Sequence, residues 1–302
     1  MDSIPSATLA ELLRRAAERL SPASPTARLD AEVLAAHVLG LNRAGLIAAH
    51  ARALDDDTQR RLELLVQRRE RGEPVAYITG RREFWSLPLA VTPAVLIPRP
   101  ETELLVERAL ARIPDAAGVP VADGIEARGA VQGSTGCAFA DLGTGSGAIA
   151  LAIARERPRA RVVATDASPE ALELARANAA ALAIDNIEFF RGEWLAPLTG
   201  ITFDIIVSNP PYIRNGDPHL QQGDVRFEPR AALASGSDGL DAIRIIVRDA
   251  RAHLKPGGWL LLEHGYDQAA AIEQLLDRAG YMDIRGYTDL AGHRRVIEAA
   301  IA

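Results

Sequence analysis

A doubly wound α/β domain, preceded by a small helical bundle and a hairpin-like linker, is the fold class that this 302-residue sequence predicts. Three observations carry that prediction. From Cys137 onward, short apolar runs alternate with helical periodicity, the pattern of a mostly parallel sheet covered on both faces by helices. A glycine cluster, Gly143-Thr144-Gly145-Ser146-Gly147, falls directly between the first of these strands and the helix that follows it. The residues before about 72 show helical periods only, so they form a separate body.

That first body, residues 1–72, reads as four short helices. Thr8 and Glu11 have the capping-box spacing, and Leu9, Leu12, Leu13, Ala16 and Leu20 recur at helical intervals. Pro22 and Pro25 break the helix. Leu29 to Leu39 is the second, with Gly40 as its stop. A short third covers Arg43 to His50. One of Asp55, Asp56 or Asp57 caps a fourth that runs through Arg69 towards Gly72. Residues 73–98 read as turn-punctuated extended segments, a hairpin-like linker. Pro100, just ahead of Glu101 and Glu103, is good chemistry for a helix start. Residues 114–136 are rich in Gly, Ala and Val without a clear period and read as a surface insertion.

The remainder of the domain assigned to residues 99–302 alternates. Strands are expected at Ala138–Leu142, Arg161–Thr165, Ile187–Phe190, Phe203–Ser208 and Trp259–Glu263. Helices are expected at Ala148–Arg155, Pro169–Ala183, Gly239–Leu254 and Gln268–Ala279. Tyr281–Tyr287 and Arg294–Ala299 would close the sheet as a pair.

Charge and cysteine content narrow the function. The formal net charge of −6 and a pI near 5.6 argue against a phosphate-gripping nucleic-acid binder and favour a protein or small-molecule partner. A single cysteine, Cys137, excludes an internal disulfide framework, fits a reducing cytoplasm and reads as inert core. The six histidines form no metal-spaced cluster, so no zinc site is expected. No apolar run is long enough to span a bilayer, so no membrane partner is expected, and a cytoplasmic monomer is the expectation.

Two stretches carry the chemistry. Asn209-Pro210-Pro211-Tyr212 follows an apolar, β-branched run. Two prolines can neither donate to a ladder nor enter a helix, so the strand must stop at Asn209 in a stiff turn. Such a turn presents an amide side chain, a carbonyl without a neighbouring N–H and an aromatic ring, which suits a small planar group carrying N–H donors. The glycines at 143, 145 and 147 let backbone N–H groups approach a ligand, and Asp166 at the end of the next strand can accept ribose hydroxyls. By themselves these residues fit NAD as well as S-adenosylmethionine. Gly192-Glu193-Trp194 after the third strand places Trp194 to stack on a purine, or simply to pack in the core, and Glu193 to meet an exocyclic amine.

Asp141-Leu142-Gly143-Thr144-Gly145-Ser146-Gly147 resembles the first motif of methyltransferases that use S-adenosylmethionine, and Asn-Pro-Pro-Tyr resembles the motif of those that methylate exocyclic or carboxamide nitrogens. Over nearly its whole length the chain resembles the release factor glutamine methyltransferase family. The stretches that carry this are Leu29-Asp30-Ala31-Glu32, Ile97-Pro98-Arg99-Pro100-Glu101-Thr102-Glu103, Asp224-Val225-Arg226-Phe227-Glu228-Pro229 and Leu262-Glu263-His264-Gly265. The resemblance implies a Rossmann-like class I methyltransferase domain that binds S-adenosylmethionine through residues 143–147, Asp166, Glu193, Trp194 and Asn209. It implies that the substrate, the glutamine of the Gly-Gly-Gln loop in class 1 peptide chain release factors, meets Asn209, Pro210, Pro211 and Tyr212. Asn209, Pro210 and Tyr212 would then be the catalytic residues, with no catalytic base. An adenine-N6 DNA or RNA methyltransferase, which shares the Asn-Pro-Pro-Tyr turn, is the alternative.

Overall fold

A computed structural model of the chain describes residues 7–112 and 136–302. The insertion expected at 114–136 lies outside the described residues apart from Gly136. The chain divides into two compact units. The first runs to Arg81 and also takes in Gln221–Phe227, and the second comprises Arg82–Leu220 and Glu228–Ala302.

The first unit is helical. Helix α1 (Leu9–Leu20) begins with the capping box read from the sequence, Thr8 and Glu11 each satisfying the other's backbone N–H. Helix α2 (Ala27–Leu39) ends at Gly40, whose φ of 65° is the left-handed stop that glycine adopts without a Cβ penalty. Asn42 caps α3 (Arg43–Ala48), and Asp55 caps α4 (Asp56–Glu70) by accepting from Thr58 N at 2.8 Å. Leu9, Leu20, Leu34, Leu62 and Val66 meet in the unit's core.

One expectation fails here. Glu73–Gly80 is not extended, because Val75–Thr79 forms a helix, α5, started by Pro74 and closed by Gly80 at φ 71°. Its Val, Tyr, Ile and Thr look strand-like in isolation, but burying Tyr77 and Ile78 outweighs that weak preference.

The helical unit also buries charge. Arg69 and Asp30 are 4% and 7% exposed and bond at 2.7 Å, while Arg69 reaches Asp224 of the Gln221–Phe227 segment at 2.8 Å. Ser24 and Thr26 donate to the remaining lone pairs of Asp30.

Next, β1 (Arg81–Phe84) and β2 (Leu87–Ala90) pair in a two-stranded sheet, and Phe84, Leu87 and Leu89 are fully buried in one core with residues of α6 (Glu103–Arg112) and α7 (Ala148–Glu156). The central sheet contains β3 (Ala138–Leu142), β4 (Arg161–Asp166), β5 (Ile187–Arg191), β6 (Phe203–Ser208), β7 (Leu254–Glu263), β8 (Met282–Thr288) and β9 (Arg294–Ala300), in the spatial order β5-β4-β3-β6-β7-β9-β8. The first five strands run parallel and β9 runs antiparallel between β7 and β8.

Side chains alternate across the sheet. Phe139, Ile205, Val207 and Leu261 pack with α6 and α7 on one face. Leu142, Ile206 and Leu262 pack with α9 (Asp241–Ala250) and α10 (Ala269–Arg278) on the other. Helix α8 (Pro169–Ala181) connects β4 to β5. The helix expected over Gly239–Leu254 ends earlier, at Ala250, because Leu254 pairs with Phe203 and begins β7. Cys137 is buried in the first of these cores, where burial pushes its thiol up to about 12, so it stays protonated and inert.

Helix α6 is bolted to the sheet through a buried carboxylate. Glu298 on β9 is fully buried and receives Arg112 and, at 2.5 Å, the hydroxyl of Tyr287. The Arg112 guanidinium lies 3.4 Å from the Trp259 ring centroid. The turn of 3-10 helix at Pro100–Thr102 runs directly into this fixed helix.

Removing one partner of a buried ion pair strands the other charge, so Arg69→Ala should lower the stability of the helical unit by about 3–5 kcal/mol. Arg28→Ala, which removes an exposed pair with Glu32, should change it by less than about 0.5 kcal/mol. Urea unfolding of both variants checks the contrast, and equal losses would contradict it.

Candidate active site

The parallel register of β3 and β6 brings the two chemical motifs together. Leu142 pairs with Ser208, and the Ser208 hydroxyl donates to the Leu142 carbonyl at 2.7 Å. Gly143 and Asn209, the next residues of each strand, therefore leave the same sheet edge side by side, at the point where the strand order reverses.

The glycine turn is tied down by backbone hydrogen bonds: Gly143 N and Thr144 N both donate to the Thr165 carbonyl at 2.9 Å. Gly143 has a φ of 72°, and a Cβ there would meet the Trp194 ring at 3.2 Å, so backbone and indole touch with no room for a side chain. A Cβ at Gly145 would meet nothing within 4 Å, so its backbone faces open space. Asp166 is held at the end of β4 by Gly145 N and Ser168 N, each donating at 2.9 Å. Each carboxylate oxygen keeps a lone pair for a further donor.

A cavity of about 440 Å³ opens on these groups, lined by Gly143, Gly145, Asp166, Glu193, Trp194, Asn209 and Pro211 among others. The other residues of the glycine turn have different tasks. Thr144 donates its hydroxyl to Asp141 at 2.6 Å, the Ser146 carbonyl accepts from Asn178, and Gly147 packs against Leu151 and Ala175. They build the turn and do not line the cavity.

Pro210 is buried, and the Tyr212 ring packs on the sheet core with its hydroxyl donating to Glu263 at 3.2 Å. Burial pushes the Tyr212 phenol up, so it remains a neutral donor. Trp194, at a left-handed φ of 49°, is pinned by its own carbonyl, which accepts from the Thr165 hydroxyl at 2.8 Å.

Sequence reasoning passed over several residues that complete the site. Asn209 Nδ2 donates to the Thr102 hydroxyl at 3.1 Å, and Thr102 is 4% exposed. Glu228 receives Ile97 N at 3.1 Å and the Arg99 guanidinium, which ties the Ile-Pro-Arg-Pro and Glu-Pro stretches together. Ala94, Val95 and Leu96, just after the hairpin, form one cavity wall, and Ser235, Gly236 and Ala242 another. Ala94–Leu96 carry no chemical signal in the sequence, and only the docking of the hairpin on the sheet brings them there.

Two buried carboxyls stand out. Asp141 is fully buried with one oxygen unpartnered, and burial pushes it up to about 7 against the Thr144 hydroxyl and Ala150 N–H. Glu263, 1% exposed and also with an unpartnered oxygen, is likewise pushed up to about 7 by burial, against Thr102, Arg295 and Tyr212.

The fold and the site define a methyltransferase of the class I α/β type, and known structures share that fold. The hMettl16 catalytic domain covers 82% of this chain and 83% of its own at 15% identity and a TM-score of 0.54. The T. thermophilus 16S rRNA N2 G1207 methyltransferase, solved with AdoMet and guanosine, covers 74% of this chain and 50% of its own at 22% identity and a TM-score of 0.50.

The particular family follows from sequence comparison. Residues 11–80 match the PrmC N-terminal domain and 130–225 the methyltransferase small domain. The release factor glutamine methyltransferase of Vibrio cholerae is 49% identical over 96% of both chains, and that of Escherichia coli is 47% identical over 94% of this chain and 95% of its own. The chain belongs to the release factor glutamine methyltransferase family.

The raised carboxyl of Asp141 has a consequence for stability. A carboxyl whose folded pKa lies above its unfolded value adds stability below the unfolded value and loses it as pH rises through the folded one. For Asp141 that window runs from 3.8 to about 7. Asp141→Asn should therefore gain on the wild type as pH rises through this window. Urea unfolding at several pH values measures the difference, and a constant gap between the two proteins would contradict the assignment.

Proposed function

We propose that this chain transfers a methyl group from S-adenosylmethionine to the side-chain amide nitrogen (N5) of the glutamine in the Gly-Gly-Gln loop of class 1 peptide chain release factors, and so acts in translation termination. The observation that carries the proposal is that Asp166 and Asn209 face one cavity of about 440 Å³, in a chain 49% identical to a release factor glutamine methyltransferase.

The residues present fit the cofactor. The cavity lies in the size range of small-molecule sites, roughly 300–1,000 Å³. Asp166, pinned by two backbone donors, can accept both ribose hydroxyls. Trp194 and Glu193 line the wall where adenine would rest, and the bare backbone at Gly143 and Gly145 admits the rest of the molecule closely. When bound, S-adenosylmethionine supplies an electrophilic methyl group on a sulfonium.

The protein's task is then to hold a poor nucleophile in line. A carboxamide nitrogen has its lone pair delocalised into the carbonyl. Asn209 donates its own N–H to Thr102, which leaves Oδ1 to accept one substrate N–H. The Pro210 carbonyl accepts the other, so the nitrogen's remaining lobe faces the methyl donor. Two prolines fix the turn, so this geometry exists before substrate arrives and needs little reorganisation. Tyr212 does not line the cavity itself; packed on the sheet core and bonded to Glu263, it backs the turn that presents Asn209. The methylated, cationic amide is strongly acidic and can lose its proton late without a dedicated base.

The helical unit supplies the grip on the folded substrate. One loop offers few contacts for choosing a single glutamine, so binding energy from the remote body of the factor must place it. Leu64 and Ile47 are each 60% exposed on this unit and present apolar surface for that purpose.

Three experiments test the assignment. Asp166→Ala should weaken S-adenosylmethionine binding by about 1–3 kcal/mol in calorimetry. Asn209→Ala should bind the cofactor nearly as well as the wild type yet turn over roughly 100-fold slower. Unchanged affinity in the first or wild-type turnover in the second would contradict the assigned roles. Leu64→Asp combined with Ile47→Asp should slow methylation of an intact release factor while leaving the low rate on a free Gly-Gly-Gln peptide unchanged. Equal rates on the intact factor would show the helical unit to be scaffold.

A further inference from the structure

We propose that Gln268 is a positioning residue for the transfer: its buried side-chain amide fixes the far end of the Asn-Pro-Pro-Tyr turn, and through the two prolines it fixes Asn209. This deepens the reading of the site given above and rests on it.

The near end of the turn is held by β6, whose last residue, Ser208, pairs with Leu142 on one side and Leu262 on the other. The far end leaves the sheet. Proline has no N–H, so Pro210 and Pro211 can donate nothing to a neighbouring segment. Beyond them the Tyr212 carbonyl accepts from Gln268 Nε2 at 2.9 Å. Ile213 then pairs with the segment in front of α9, its N–H donating to the Leu233 carbonyl and its carbonyl accepting from Ser235 N, both at 2.9 Å.

Gln268 is 8% exposed, and its amide is spent on backbone groups of three separate segments. Nε2 carries two protons; one goes to the Tyr212 carbonyl and the other faces the Asp238 carbonyl at 3.4 Å. Oε1 accepts from Gly265 N at 2.9 Å, and the Gln268 N–H returns a bond to the Gly265 carbonyl at 3.0 Å. One side chain therefore joins the turn after β6, the turn after β7 and the residues that lead into α9. Carbonyls demand the NH2 end and the Gly265 N–H demands the oxygen, so the amide fits in one orientation only. Gln268 stands at the start of α10, whose Ile272 and Leu276 are buried in the core, so the anchor belongs to the scaffold.

The junction is tight. Gly239 has a φ of 82°, and a Cβ there would lie 2.2 Å from the Tyr212 carbonyl oxygen and 2.7 Å from Gln268 Nε2. Backbone, carbonyl and amide thus meet where no side chain fits. A few residues beyond Gly239, Asp241 and Ala242 line the cavity, so Gln268 ties the substrate turn to that wall. It also gives Gly265, the end of the Leu262–Gly265 stretch, a task that the cofactor cavity does not.

The prolines carry this restraint to the chemistry. With φ fixed at both, little but ψ can absorb a displacement between Tyr212 and Asn209. A Tyr212 carbonyl released from Gln268 therefore shifts the Pro210 carbonyl and Asn209 Oδ1, the two groups assigned to the acceptor nitrogen. A misplacement of about 1 Å at such groups can cost roughly 100-fold in rate. Gln268 does not line the cavity, so cofactor binding does not draw on it.

The test compares wild type, Gln268→Met and Gln268→Asn as full-length proteins, each also made in an Asn209→Ala background. Calorimetry gives the affinity and stoichiometry for S-adenosylmethionine, and steady-state kinetics gives kcat and KM for methylation of an intact class 1 release factor. Gln268→Met keeps the length of the side chain without its amide, and Gln268→Asn keeps the amide but falls a methylene short. Both should lower kcat about tenfold or more, with KM, cofactor affinity and stoichiometry close to those of the wild type. Asn209 and the Pro210 carbonyl act on the nitrogen as a pair, so in the Asn209→Ala background the loss should shrink to about twofold or less. Wild-type kcat in Gln268→Met would overturn the proposal. So would an equal fold-loss with and without Asn209, the result of a role in folding alone. Should Gln268→Met fail to fold, Gln268→Asn decides by the same criteria. A wild-type enzyme that binds the cofactor but leaves the release factor unmethylated would instead overturn the underlying assignment of function.

Discussion

The pairing of β3 with β6 is the constraint on which the rest of the site depends. Parallel strands in register end together, so Leu142 opposite Ser208 forces the glycine turn and the Asn-Pro-Pro turn to emerge as neighbours. The glycines then bend away to open the cavity, and the prolines prevent the other turn from following β6 into a helix. A slip of one residue would turn every side chain of β6 to the other face and carry Asn209 out of the crevice. Both strands are buried along their whole lengths, and the Ser208 hydroxyl clamps the pair where it matters most.

Around this edge the protein tolerates polar groups that a purely structural core would replace. Asp141 and Glu263 are buried carboxyls, each with an oxygen lacking a partner, and each carries a cost in folding free energy. Asp141 lies beneath the glycine turn, where it accepts from the Thr144 hydroxyl, and Glu263 accepts from the Tyr212 hydroxyl. By contrast, the buried Glu298 on β9 is satisfied by Arg112 and Tyr287 and serves as an anchor.

Much of this was legible in the sequence, for identifiable reasons. Strands β3 and β6 have sharp boundaries because a glycine turn and two prolines end them, and Thr8, Asp55 and Gly40 mark helix ends through chemistry that acts locally. The reading fails where tertiary burial overrides local preference. Val75–Thr79 looks extended and is a helix because Tyr77 and Ile78 are drawn into packing. Leu254 reads as the end of a helix but joins β7 because Phe203 lies opposite. At the site, Asp166, Asn209, Glu193 and Trp194 could be picked out by residue type and position, and the cavity has all four on its walls. Thr144, Ser146 and Gly147 shared the same motif yet face inward. The hydrogen bond from Asn209 to Thr102 was not legible, since the two residues come from segments far apart in sequence.

The central claim is that the acceptor nitrogen is a protein carboxamide held at Asn209. Tandem mass spectrometry of an intact class 1 release factor, after incubation with the enzyme and S-adenosylmethionine, tests it most directly. The account predicts one added methyl group, located on the side-chain nitrogen of the Gly-Gly-Gln glutamine and absent when the enzyme carries Asn209→Ala. An unmodified factor, together with methylated adenine in DNA or RNA offered in the same reaction, would contradict it.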